Sequence, residues 1–280
     1  MTLSPATPYK QLALALALST LALQAAAHRS WIMPSSSNVE AREAWVTVDA
    51  AVSENLFELD TVALKLDGLA ITGPDGASVV LPAVTTGKQR ASFDLRMAVD
   101  GTYRISVVNK SVMATYKTES GETKRWRGSE ADLAKEVPAG AAELKTTWQH
   151  ARVETFVTAN KASTGALKSS GVGLELVPVT HPTELRSGEP ATWRFTLDGK
   201  ALPDFAFSLI PGEVRYRGVL NETRLRTNAA GEAVLTLPKA GRYLLAASYP
   251  AESAKGPAPA GAPASTRRYS YAATLEVLPE

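Results

Sequence analysis

The residues of this chain best suited to chemistry are its three histidines, His28, His150 and His181, because there is no cysteine among its 280 residues. Without thiolates, iron–sulfur clusters, thiolate-bound zinc and cysteine nucleophiles are excluded, and any metal must be held by nitrogen, oxygen or methionine sulfur. His28 differs from the other two in what precedes it. Ala25 and Ala27 occupy the minus-three and minus-one positions of an A-x-A signal-peptidase site. Cleavage after Ala27 makes His28 the first residue, and its free α-amine and a ring nitrogen then form a chelate suited to Cu(II) or Ni(II). An α-amine has a reference pKa of ~7.7–8.0, so binding displaces a proton and strengthens as pH rises.

One residue cannot fill a coordination sphere. His150 lies in Trp148-Gln149-His150 and His181 in Thr180-His181-Pro182, and both are tentative partners for His28. Met33 reads as a core residue. Glu54, Glu58 and Asp60 offer hard oxygen ligands, although a solvated loop explains them equally well. No Ser-His-Asp set, phosphate-binding glycine loop or H-E-x-x-H pattern stands out, so nothing in the chain points to hydrolysis. The cluster Lys124-Arg125-Trp126-Arg127 reads as a wet loop with Trp126 packed on its own domain. Thirty Lys and Arg against 28 Asp and Glu give no nucleic-acid footprint.

The elements that must position these residues are strands. Residues 1–27 carry one cation, Lys10, then an apolar run over 12–23, which is shorter than the ~20 residues of a membrane span. They are predicted to be a removed signal peptide, leaving no transmembrane segment in the mature chain. After them come short runs rich in Val, Leu, Thr, Tyr and Phe, bounded by Gly, Pro, Asp and Asn, the pattern of an all-β protein. Strands are predicted at 43–50, 91–97 and 101–108, with one or two more over 143–158. A short helix is predicted at 130–136, capped by Ser129. A polar stretch marks a boundary, which predicts a β-rich domain at 28–160, a linker at 161–172 and an immunoglobulin-like sandwich at 173–280. A Pro/Ala/Gly-rich loop at 250–268 interrupts the second domain. An echo between Gly101-Thr102-Tyr103 and Gly241-Arg242-Tyr243 suggests that each half is a β-sandwich with a tyrosine at a corner.

The start Ala27-His28-Arg29-Ser30-Trp31-Ile32-Met33-Pro34, the stretches 153–158 and 173–182, and Thr227-Asn228-Ala229-Ala230-Gly231-Glu232-Ala233 resemble a bacterial periplasmic family of unknown function. That family has been labelled a nickel or cobalt transport component, NikM-type. The resemblance spans essentially the whole mature chain. It implies a periplasmic location, a body of immunoglobulin-like or transthyretin-like sandwiches, and delivery of Ni or Co, with an envelope transporter or receptor as partner. It carries over His28 as the leading ligand, with His150 and His181 beside it. Three readings follow: a non-enzymatic carrier of Ni, Co or Cu, a structural or adhesive module contacting protein or glycan, and a histidine-brace copper oxidase.

Overall fold

The computed structural model describes residues 28–250 and 265–280. Ala25, Ala27 and the rest of the predicted leader lie outside the described residues, as does most of the predicted 250–268 loop. The fold is all-β. Its first half runs β1 (Arg29–Pro34), β2 (Asn38–Val39), β3 (Ala44–Ser53), β4 (Val62–Ala63), β5 (Leu69–Thr72), β6 (Thr85–Thr86), β7 (Ala91–Met97), β8 (Gly101–Lys117), β9 (Thr123–Gly128), α1 (Glu130–Glu136) and β10 (Ala142–Ala159). The second half runs β11 (Leu174–Pro178), β12 (Pro190–Leu197), β13 (Lys200–Ala201), β14 (Ala206–Pro211), α2 (Val214–Arg217), β15 (Thr223–Arg226), β16 (Glu232–Thr236), β17 (Gly241–Tyr249) and β18 (Ser265–Val277).

These strands form three layers. The middle sheet has the order β15-β14-β17-β18-β10-β8-β5, with β9 on β8 and β2 on β10. One outer layer holds β1, β3, β4, β6 and β7, and the other holds β11, β12, β13 and β16. Side chains alternate across a strand, so β10 serves both layers. Val153, Val157 and Ala159 pack with Ile32, Val46, Val48 and Phe93 on one face. Phe156 packs on the other face, with Leu174, Leu176, Trp193 and Phe195. Every residue from Arg152 to Ala159 is therefore buried, whereas β3 and β7, at the surface of their layer, alternate buried and wet positions.

The two halves share the middle sheet. β10 pairs in parallel with β18, from Thr146 beside Ser265 to Thr155 beside Thr274. The predicted linker at 161–172 is thus a crossover from the middle sheet to the outer layer that begins at β11. Local patterning could not show this, because a parallel pair between distant segments leaves no turn signal in the sequence. Trp31 adds a second seam: it is fully buried against Ala51, Leu56, Ile210 and Leu244, so residues of both halves enclose it. Its indole N–H donates to Ser53 Oγ at 2.8 Å, and its ring meets Phe57 edge-on.

The repeated Gly-x-Tyr is a real local structure. Tyr103 and Tyr243 are both buried, and each hydroxyl donates to the carbonyl four residues upstream, Val99 at 2.8 Å and Lys239 at 2.9 Å. Gly101 and Gly241 take φ of 137° and 139°, a region that favours glycine. The helix also forms as expected at Glu130–Glu136, with Ser129 Oγ accepting from the Asp132 amide. Residues 123–128 differ from the sequence reading. They form β9 rather than a loop, because main-chain pairing with β8 over Thr123 to Gly128 does not require apolar side chains. Trp126 still packs on its own neighbourhood, beside the cluster of Ala114, Tyr116 and Val137.

Between the middle sheet and β11 lies a buried ionic cluster. The Arg152 guanidinium stands 3.5 Å from Glu154 Oε2 and 3.5 Å from Glu175 Oε1, all three residues being buried. Glu175 accepts the Ser169 hydroxyl at 2.6 Å, the Ser170 amide and hydroxyl at 3.0 and 2.8 Å, and the Gly171 amide at 2.9 Å. Burial pushes the Glu175 carboxyl up, but these donors and Arg152 outweigh it and hold its pKa below the ordinary value. Glu154 has the opposite balance. Burial raises its pKa, and Arg152, Arg104 and the Tyr271 hydroxyl at 2.6 Å only partly offset that rise.

These shifts have opposite linkage. A carboxyl with a depressed folded pKa adds stability above its unfolded pKa and loses it as pH falls through the folded value. For one with a raised folded pKa, the cost of the buried charge is relieved as pH falls. Glu175→Gln is therefore expected to cost about 2–4 kcal/mol at pH 7, since it leaves Arg152 short of a counter-charge, and to flatten the loss of stability below pH ~4.5. Glu154→Gln is expected to stay within about 1 kcal/mol of wild type. Urea unfolding of both variants between pH 3 and 8 measures this, and equal costs at pH 7 would contradict the assignment. In the same assay Trp31→Ala should lose about 3–5 kcal/mol and Trp31→Phe clearly less.

Candidate functional site

His28 sits exposed at the lip of the outer layer, immediately before β1. β1 pairs antiparallel with β3, placing Arg29 opposite Ser53, so the turn that follows β3 meets His28. Its Nε2 is 3.4 Å from Glu54 Oε1, with both side chains more than half exposed. The rest of the acidic trio has other work. Asp60 accepts from the amides of Glu54 and Asn55 at 3.0 and 2.9 Å, from the Asn55 side chain and from the Thr61 hydroxyl. Burial raises its pKa, but these bonds hold it below the ordinary carboxylate value. It thereby fixes the turn that presents Glu54. Glu58 reaches Arg215 at 3.7 Å.

A carboxylate beside the ring is the kind of partner that orients metal-binding histidines. Nδ1 is the ring nitrogen close enough to the residue's own backbone nitrogen to share an ion with it.

His150 and His181 stand elsewhere. His150 lies on β10, flanked by Lys110 on β8 and Tyr269 on β18. It projects from the face that carries β11, where its ring lies against Gly173: a side-chain carbon on that glycine would fall 2.2 Å from His150 Cε1. β1 packs on the opposite face of the middle sheet. Burial first, then the charges of Lys110 and Arg152, lower the His150 pKa, and its Nε2 is buried without a hydrogen-bond partner among the described residues.

His181 follows β11 and uses both ring nitrogens. Nε2 lies 3.1 Å from the Ser163 carbonyl and 3.1 Å from Thr102 Oγ1, and Nδ1 lies 3.1 Å from Thr183 Oγ1 and 3.4 Å from the Thr183 amide. A carbonyl only accepts, so Nε2 carries the proton and Nδ1 accepts. Thr102 pairs with Thr158, eight residues along β10 from His150, which is about 27 Å at ~3.4 Å per residue. The three histidines are thus not brought together. Among the described residues no group of three or more His, Asp or Glu is placed to hold a metal.

Sequence reasoning missed a cleft around His150. Trp148, Tyr269, Lys110, Arg267 and Arg268 line it, with Asp198 and Glu130 at its rim. Only Trp148 and His150, neighbours in strand alternation, hinted at it. The cations come from β8 and β18, which local patterning could not place beside β10.

Among solved structures, the chain is similar to the D0-D1 domain of Intimin, with a TM-score of 0.23 and 13% identity over 88% of this chain and 97% of that one. A comparison with curated proteins finds no match. The family described as a domain of unknown function, DUF4198, matches residues 25–251. That match covers most of the sequence, and the chain belongs to this DUF4198 family.

Proposed function

We propose that the protein is an exported, periplasmic, non-enzymatic carrier that grips one divalent transition metal, Ni, Co or Cu, through the amine and Nδ1 of an N-terminal His28. The observation that supports this reading best is the carboxylate of Glu54 at 3.4 Å from His28 Nε2, the kind of partner that orients a metal-binding imidazole. Two nitrogens of one residue form a chelate with open positions at an exposed lip. Such a site exchanges its ion readily, which suits handing it to an envelope transporter or receptor, the partner that the nickel or cobalt label of the resembling family suggests. A copper oxidase built on a histidine brace needs a second imidazole opposite the first. The carrier reading is favoured because His150 projects from the other face of the middle sheet and His181 has both nitrogens engaged. The structural or adhesive reading makes no use of the His28–Glu54 pair.

The test is calorimetric titration of the mature chain, its N-terminus read by mass spectrometry, with Ni(II), Co(II) and Cu(II). One equivalent should bind, with affinity rising with pH through the amine's range of ~7.7–8.0. His28→Ala or acetylation of the amine should abolish this site, whereas Met33→Leu should leave it. Glu54→Gln should weaken binding by roughly 10-fold, as loss of an orienting partner does. An acetylated chain that binds as tightly as the free one would remove the chelate and, with it, this function.

A further inference from the structure

We propose that the cleft around His150 binds a sugar ring bearing a carboxylate, such as a uronate unit of an acidic glycan. This site stands on the opposite face of the middle sheet from β1 and does not rest on the metal-carrier reading. It opens where β8, β10 and β18 continue past the end of the outer layer, whose Val172 and Asp198 form one wall. Its volume is about 270 Å³, close to the lower end of small-molecule sites (~300–1,000 Å³) and enough for one monosaccharide.

The lining combines three chemistries that few ligands satisfy together. Trp148 and Tyr269 are half-buried aromatics on neighbouring strands, two residues out of register from each other. The indole is held in place by its N–H donating to Ser265 Oγ at 3.1 Å, so it offers a fixed ring face for stacking. Lys110, Arg267 and Arg268 are exposed, and none has a carboxylate within ion-pair distance among the described residues. Arg267, which pairs beside Trp148 and so shares the His150 face, presents a guanidinium that suits a carboxylate. Asp198 suits a hydroxyl: its Oδ1 takes the Gly173 amide at 2.8 Å and its other oxygen can accept. Burial and the neighbouring cations disfavour a charge on His150, so the cleft's positive charge comes from its exposed cations.

Each simpler ligand leaves part of this lining unmatched. A neutral sugar would make no use of the cations, and an aromatic acid would offer no hydroxyl to the Asp198 oxygen. A ring carrying both hydroxyls and a carboxylate matches all three.

Calorimetry of the full mature chain with D-glucuronate, D-glucose and benzoate tests this. Glucuronate should bind saturably in the millimolar range, at least tenfold more tightly than glucose or benzoate. The exposed double variant R267Q/R268Q should lose at least tenfold in glucuronate affinity with an unchanged melting temperature, and Lys110→Gln should lose several-fold. His28→Ala should bind glucuronate as wild type does, so failure of the metal site and failure of this one are told apart. Absence of saturable glucuronate binding, benzoate binding as tight as glucuronate, or an unaltered affinity in R267Q/R268Q would each overturn the assignment.

Discussion

The parallel pairing of β10 with β18 is the constraint on which the rest of the architecture depends. Thr146 and Ser265, paired at its start, lie 119 residues apart in sequence, so bringing these strands together carries the loop-closure entropy of a long-range contact. Parallel strands need a crossover. Here the connection, which starts with the crossover at 161–172, is the whole outer layer of β11, β12, β13 and β16 together with β14, β15 and β17. Once β18 lies beside β10, both faces of the middle sheet must be covered, and each outer layer supplies one cover. The buried run from Arg152 to Ala159 follows from that enclosure.

The same enclosure explains why charge sits inside. A strand that alternates between two cores has no wet face for Arg152 or Glu154, so their charges must be met within the protein. Glu175, held by the Ser169 and Ser170 hydroxyls and the amides of Ser170 and Gly171, supplies the counter-charge from the crossover itself. Tyr271 of β18 supplies a hydroxyl to Glu154. The cluster therefore touches β10, β18 and β11 and fixes how the layer meets the sheet. Buried polar groups of this kind contribute more to a unique arrangement than to net stability, which fits a seam that unites distant segments.

How much of this was legible in the sequence follows from the range of each signal. Alternation gave β3, β7 and the inner half of β8, and Ser129 marked the start of α1, because those signals act within a few residues. The tyrosine corners were legible for the same reason: Gly101 and Tyr103, like Gly241 and Tyr243, carry the whole motif locally. β9 was not, since Lys124, Arg125 and Arg127 are charges on a strand whose burial is slight. Arg152, Glu154 and Glu175 look like solvated charges until the third layer is known. At the candidate site, His28 was legible from Ala25 and Ala27 before it, whereas Glu54 became its neighbour only through the β1–β3 register. The cleft residues come from β8, β10 and β18, and no local rule joins Lys110 and Arg267 to Trp148.

The three histidines show how one side chain takes different roles from its surroundings alone. His181 has a carbonyl, hydroxyls and an amide on its two nitrogens and acts as a brace between the crossover and the end of β8. His150 is pressed on Gly173, where the positive φ of 75° and the absence of a side chain allow the ring to approach the backbone. His28 is the one whose ring stays open to solvent beside a carboxylate. Because strand alternation puts β1 on one face of the middle sheet and His150 on the other, a ligand at either place cannot touch the other directly. Any influence between them must pass through the packing of β10 and β18, whose two-sided burial makes that path stiff. The lip at His28 and the cleft at His150 therefore lie on opposite faces of one packed sheet.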